Sequence, residues 1–240
     1  MKPLRAVIQL RAPRTTCFGD HRGLLAVLIL FGASLVPLQS AESAGTTVSG
    51  NVQQIAPPAS VVLGALESNS FVRLFNERTA FLLNQNVTAD ITQPGTVGNS
   101  GNLSAGVISP QLVDSHLLHA DPIGPGNPAV TYQGSVTFDR PILGLLVQSG
   151  SLTATDGILG FPSTTYTPTV DRGFEWPSTS AVGDLVQLSA DFRTITFVLK
   201  ATSQYDQIRI ITAGVPEPSS LALAAYCLAV AFMPRLRRGG

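Results

Sequence analysis

The chain has 240 residues, with 15 basic side chains balanced by 15 acidic ones, and a mean hydropathy of +0.26. Five of the basic residues precede Leu24 and three follow Pro234, so residues 44–213 keep seven cations against 12 acids and are about −5. That deficit of cations excludes a nucleic-acid surface, which needs a basic patch. Cys17 and Cys227 are the only cysteines, one near each end, so the middle has no disulfide, cysteine nucleophile or thiolate metal site.

The front of the chain reads as a secretory leader. Lys2, Arg5, Arg11, Arg14 and Arg22 precede the apolar run Leu24 to Leu38, and the small residues Ser40-Ala41-Glu42-Ser43-Ala44 come after it. A basic region, a short apolar core and a small-residue site mark residues 1–43 for export and removal. Cleavage after Ser43 is expected, with Ala41 as the alternative site. An uncleaved anchor is the competing reading, and Pro37 with the small residues after it weighs against it.

Residues 44–213 are then one domain of ordinary size. Thr46 to Ser60 is polar, contains Pro57-Pro58, and reads as a lead-in linker or edge segment. Val61 to Leu66 is apolar until Glu67-Ser68-Asn69-Ser70 breaks it. Phe71 to Asn84 fits either a short helix or an extended strand pair. Asn86 to Thr92 alternates Val87, Ala89 and Ile91 as a strand. Gln93 to Asn102 is a turn-rich loop. Leu112 to Ala120 carries His116 and His119 among leucines, and Asp121 to Pro128 is a second loop.

The clearest strands come next. Tyr132 to Phe138 alternates, and Ile142 to Val147 is continuously apolar, as a strand buried on both faces must be. Leu152 to Leu159 reads as strand around an Asp156-Gly157 turn. Pro162 to Pro177 reads as a long surface loop. Leu185 to Leu188 and Thr194 to Leu199 flank the turn 190–193 as a hairpin, with Val186, Leu188, Ile195, Phe197 and Leu199 inward. Asp206 to Thr212 is a last strand, with Ile208, Ile210 and Thr212 on one face. Many short strands between Gly and Pro turns predict a mainly β fold, an antiparallel, jelly-roll-like β-sandwich.

Chemistry-bearing residues are few. Asp114, His116, His119 and Asp121 form the one cluster of metal-ligand or acid–base types. Positions three apart share a face on a helix but oppose each other on a strand. The expected arrangement is a strand whose histidines bond to backbone groups. Zinc would need a third ligand, and the remaining histidine, His21, lies in the leader, so no metal is assigned. Calcium is the alternative, because Asp121, Asp171, Asp184, Asp191 and Asp206 all sit near expected turns, although none forms a known loop motif. Gly98-Asn99-Ser100-Gly101 lacks the spacing of a serine-hydrolase elbow. Tyr166, Phe174 and Trp176 could stack on a sugar ring; the alternative is that Trp176 plugs the rim of the domain. No catalytic motif is present, so a non-enzymatic role is expected.

The last segment, 214–240, is the most specific. Val215-Pro216-Glu217-Pro218 cannot be helix or central strand, because each proline fixes φ and lacks an N–H. Ser219 and Ser220 can cap a helix starting at Leu221. Leu221 to Met233 is 13 uncharged residues, about 20 Å of helix, short for a bilayer core of about 30 Å unless the flanks of a span at about 219–234 reach the interface. Arg235, Arg237 and Arg238 stop the span and place the C-terminus in the cytoplasm. A buried amphipathic helix closing a soluble domain is the alternative, and the apolar character on every face opposes it.

This order of parts resembles the PEP-CTERM sorting signal of Gram-negative bacteria. The resemblance implies an exosortase and the secretion machinery as partners, a transient stay in the inner membrane, processing near Pro216-Glu217-Pro218, and delivery to the cell surface or matrix. The middle is similar to ectodomains of other such exported proteins at Ser115 to Gly124, Arg140 to Gly144 and Asp206 to Thr212, a similarity that carries no activity. Association with exopolysaccharide is the expected role, without a cofactor or nucleic acid. A secreted carbohydrate-active enzyme with the same address is the alternative.

Overall fold

A computed structural model describes residues 45–124, 129–167, 171–176, 183–201 and 204–214. The leader (1–43) and everything from Val215 onward, including the expected span at about 219–234, lie outside the described residues. Within them, no helix is long and apolar enough to cross a membrane.

The fold is mainly β, with antiparallel sheets. Sheet A has the order β1 (Thr47–Gly50), β8 (Val130–Thr137), β11 (Thr194–Ala201), β10 (Leu185–Leu188) and β5 (Gly95–Val97). Sheet B runs β2 (Val52–Gln54), β3 (Val72–Leu82), β7 (Leu112–Ala120), β12 (Asp206–Ala213) and β9 (Ile142–Leu146). Among the described strands, β2 and β3 pair in parallel and the other pairs are antiparallel. A ribbon of β4 (Val87–Ala89) and β6 (Gly106–Ile108) stands apart.

Two apolar cores arise from period-2 alternation. One gathers side chains from both sheets, among them Val136, Phe197 and Leu199 of sheet A with Leu118, Ile208 and Ile210 of sheet B. The other lies on the far face of sheet B, where Phe75, Leu117 and Ile211 meet Val87 and Ile108 of the ribbon and Leu152 and Leu159. Sheet B is therefore covered on both faces, and β12, bonded between β7 and β9, is buried from Asp206 to Thr212.

The hairpin has the expected inward face, with Val186, Leu188, Ile195, Phe197 and Leu199 all buried, and its pairing sets Val186 opposite Phe197 and Leu188 opposite Ile195. The polar lead-in supplies the edge strands β1 and β2. Several expectations are corrected. Leu152 to Leu159 is not strand but the end of a helix, α1 (Ser149–Leu159). Its signal is Leu152, Thr155 and Leu159 on one buried face, at helical spacing. Gly150, Gly157 and the Asp156-Gly157 pair masked it, since glycine and threonine are poor helix formers. No side chain of the N-cap Gln148 caps the helix. Asp90 does this from beyond β4: its carboxylate accepts Val147 N and Gln148 N at 2.8 and 2.9 Å and the Ser151 hydroxyl at 2.6 Å, placing an anion at the helix N-terminus.

Phe71 to Asn84 is not a helix but a single long strand, β3, bent by irregularities between Asn76 and Phe81. The loop Gln93 to Asn102 contains the short strand β5 and one 3-10 turn, Ser100–Asn102. Val61, at the start of the apolar run to Leu66, is buried. The 162–177 segment is not purely a surface loop, because Arg172, Gly173 and Phe174 are buried. Gly173 lies so close to the β9–α1 junction that a Cβ there would sit 2.4 Å from Ser149 N and 2.6 Å from Val147 O.

Candidate functional site

The strand geometry of β7 separates the two histidines. His116 faces the core shared by the sheets, 4.6 Å from the Phe138 ring, and His119 faces the other side. The expected backbone partners are corrected to side chains. His116 Nδ1 lies 2.7 Å from Asn76 Oδ1 and Nε2 lies 3.3 Å from the Thr212 hydroxyl. A neutral ring donating from Nδ1 and accepting at Nε2 satisfies both. Burial drives its pKa down to about 3, so the His116 ring stays neutral near pH 7.

His119 is fixed differently. Gln207 Nε2 donates to its Nδ1 at 2.9 Å, leaving the Nε2 proton to face Asp121 Oδ2 at 3.6 Å. Burial lowers this pKa too, against the opposing pull of Asp121. With its lone pair engaged by an amide, His119 offers no base. Asp121 is committed to the loop before β3: Oδ2 accepts Gly64 N at 2.8 Å, and its carbonyl accepts Ser68 N at 2.7 Å.

Behind His119, between sheet B and α1, lies a buried ionic network joining residues far apart in the chain. Arg209 of β12 gives Nε to Glu77 Oε2 at 2.7 Å and Nη2 to Glu77 Oε1 at 2.8 Å. Its remaining protons go to Leu152 O, the Thr155 hydroxyl and Asp156 Oδ1 at 3.0, 2.6 and 2.9 Å. All five donors are thereby used. Burial alone would lower the Arg209 pKa, but Glu77 and then Asp156 outweigh it and raise it. Glu77, the extra residue where β3 shifts register, also accepts Ser115 Oγ and Tyr166 OH, each at 2.8 Å. Arg172 continues the chain, pairing with Asp156 at 2.6 Å and bonding Gln207 Oε1 at 2.9 Å.

Sequence reasoning missed Glu77, Asp156, Arg172 and Arg209. The one available signal was a charge, Arg209, among the isoleucines Ile208, Ile210 and Ile211 of β12. Chemically the network is closed. Each cation faces two or more acceptors, which suits a rigid support under α1 better than proton transfer.

A second acidic group lies at the other side of the same sheet end. Asp184 Oδ2 accepts Glu175 N at 2.7 Å and Oδ1 accepts Lys200 N at 2.8 Å. Asp206 Oδ2 is buried without a hydrogen-bond partner. Burial first, then Asp184 and Glu175, raise the Asp206 pKa well above its ordinary value, and burial raises that of Asp184 as well. Nearby, burial and the charges of Asp121 and Asp206 push the Tyr132 hydroxyl up to about 12, and it donates to Ser68 O at 2.6 Å.

The three aromatic residues do not share one face. Tyr166 packs in the outer core with its hydroxyl donated to Glu77. Phe174 is buried in the core between the sheets, and Trp176, half-buried, meets it edge-on at 5.4 Å. Among the candidate acids, Asp191 is exposed and bonded to Ser189 and Arg193, and Asp171 is exposed. Among the described residues, no group of three or more His, Cys, Asp or Glu converges as a metal site. The sorting residues Val215, Pro216, Glu217 and Pro218 and the arginines Arg235, Arg237 and Arg238 lie outside the described residues.

Comparison of the chain with protein-family models, with curated proteins and with solved structures finds no match.

Proposed function

We propose that this chain is an exported cell-surface or extracellular-matrix protein, sorted and processed through its C-terminal signal and associated there with exopolysaccharide. The carrying observation is where the last described strand ends relative to the motif. The last strand, β12, ends at Ala213, and Gly214 N is held by Leu112 O at 3.0 Å. The Val215-Pro216-Glu217-Pro218 segment begins at the next residue, with the apolar run and the three arginines beyond it. In this reading a processing enzyme meets a motif that follows the last described strand within two residues.

Other features support the reading. A domain without cysteines is independent of redox conditions on its route outward, and its ionic network takes the place of covalent cross-links. The shared core supports a β-sandwich. The passages from β7 to β8, β8 to β9 and β11 to β12, each changing sheet, support a jelly-roll-like winding. The partners of this reading are an exosortase, the secretion machinery and the inner membrane. Trp176, half-buried beside Phe174, is the aromatic left to contact a sugar ring.

Glu217→Ala tests the address: the variant accumulates in the membrane fraction while the parent protein is released, and equal release contradicts the reading. A panel of polysaccharides tests the role: retention without turnover is expected, and release of reducing ends would replace this reading with that of a carbohydrate-active enzyme.

A further inference from the structure

The described domain has two ends, set by the antiparallel pairing of β3 and β7. At one end Leu82 lies opposite Leu112 and Leu83 N donates to Gln111 O at 2.9 Å. At the other, Arg73 lies opposite His119. The nine residues of β7 separate them by roughly 26 Å at about 3.3 Å per step.

The chain leaves the domain at the first end. Ala213 pairs with Val113, its N–H donates to Pro141 O at 2.9 Å, and Gly214 N donates to Leu112 O. A side chain at Gly214 would strike Val113 N at 2.8 Å, so the exit is held tightly against β7. Only residues 215–220 separate this exit from the apolar run starting at Leu221. Fully extended, they reach about 20 Å.

The same end bears the two most exposed large apolar side chains among those of the described residues, Leu82 at 65 % and Val107 at 61 %. Val107 belongs to β6, and only residues 109–111 connect β6 to β7. Arg140, beside Pro141, is exposed, as is its neighbour Asp139 at 3.9 Å, and Arg193 bonds Asp139 O at 2.8 Å. Asp139 lies beside Arg140 and Asp191 beside Arg193, so this end is mixed in charge and partly apolar. Held within a short tether of a bilayer, it brings Leu82 and Val107 to the headgroup layer, where apolar side chains sink among acyl chains.

We infer that, while the chain is anchored, the end of the domain formed by Leu82, Val107 and Arg140 rests on the lipid bilayer. This rests on the proposed membrane stage of the C-terminal segment, and it adds an orientation: sheet strands stand on the membrane, and the end with Leu63 and Ile123 points away. The short tether and the exposed leucine then act together, holding the motif at 215–218 at the membrane surface.

The test uses the full chain carrying Cys17→Ala and Cys227→Ala, reconstituted in vesicles of phosphatidylethanolamine and phosphatidylglycerol. Single cysteines at Leu82, Val107, Leu63 or Ile123 carry a fluorophore, and some of the lipid bears a spin-labelled headgroup. At least twofold stronger quenching at Leu82→Cys and Val107→Cys than at Leu63→Cys and Ile123→Cys is expected. Equal quenching at all four sites overturns the inference, as does an unquenched but shielded probe at Leu82, which would mean a protein partner there. If the chain floats with the vesicles but Leu82→Cys and Val107→Cys stay unquenched, the orientation alone fails. If it does not float at all, the membrane stage fails with it.

Discussion

Glu77→Gln is the sharpest perturbation of the domain's interior. The change keeps shape and removes one negative charge where the side chains of Glu77 and Arg209 are both fully buried. The carboxylate accepts four protons, two from Arg209 and one each from Ser115 and Tyr166. An amide has one acceptor oxygen, so its N–H₂ must face donors already aimed at that position. Breaking one partner of a buried pair costs about 3–5 kcal/mol. Asp156 still neutralises Arg209 at 2.9 Å, which argues for the lower end, about 3 kcal/mol. For a domain of this size each kcal/mol moves Tm by about 2–4 °C, so calorimetry of the domain should show a fall of roughly 6–12 °C. The double variant Glu77→Leu with Arg209→Met, which removes both charges, should recover much of the loss. A fall under about 2 °C for Glu77→Gln, or a double variant worse than the single, would refute the view that the ionic network bears on stability.

Asp206→Asn should raise stability at neutral pH. A carboxyl whose folded pKa lies above its unfolded one holds its proton more tightly in the fold, so its contribution is full below about pH 4 and fades as pH rises through the folded value; the amide removes that slope, and urea midpoints that fall in parallel for both proteins between pH 4 and 8 would contradict it. His116 behaves oppositely: held neutral by burial, with a pKa of about 3, its ring resonances should not move between pH 8 and 5 in an NMR titration, and a midpoint near 6.5 would show the ring exposed. Gly173→Ala should destabilise by over about 2 kcal/mol in denaturant melts, because its Cβ meets backbone atoms that cannot yield; a neutral result would mean that the 171–174 segment moves freely off α1.

The legible and the hidden parts of the fold differ for physical reasons. The β10–β11 hairpin was legible because both strands alternate and only the five residues 189–193 join them, so local spacing fixes its pairing. β9 was legible from its continuous apolar run. Helix α1 was not, since its residues have poor intrinsic propensity, and its stability comes from burying Leu152 and Leu159 and from Asp90 at its start. The Glu77–Arg209 pair was illegible for another reason: its members lie 132 residues apart, and nothing local marks an arginine as one that will be buried. The opposed histidines were half legible; the strand alternation placed them on different faces, while Asn76, Gln207 and Thr212 as partners depend on tertiary register. The aromatics were placed together by sequence proximity alone, and the fold divided Tyr166 from Phe174 between two cores.

The most direct test of the proposed export and processing is the intact mass of the protein recovered from outside the cell. A chain beginning at about Ala44 and ending within or just before Val215-Pro216-Glu217-Pro218 is predicted. A full-length product with both apolar segments, found in the cytosol, would contradict it.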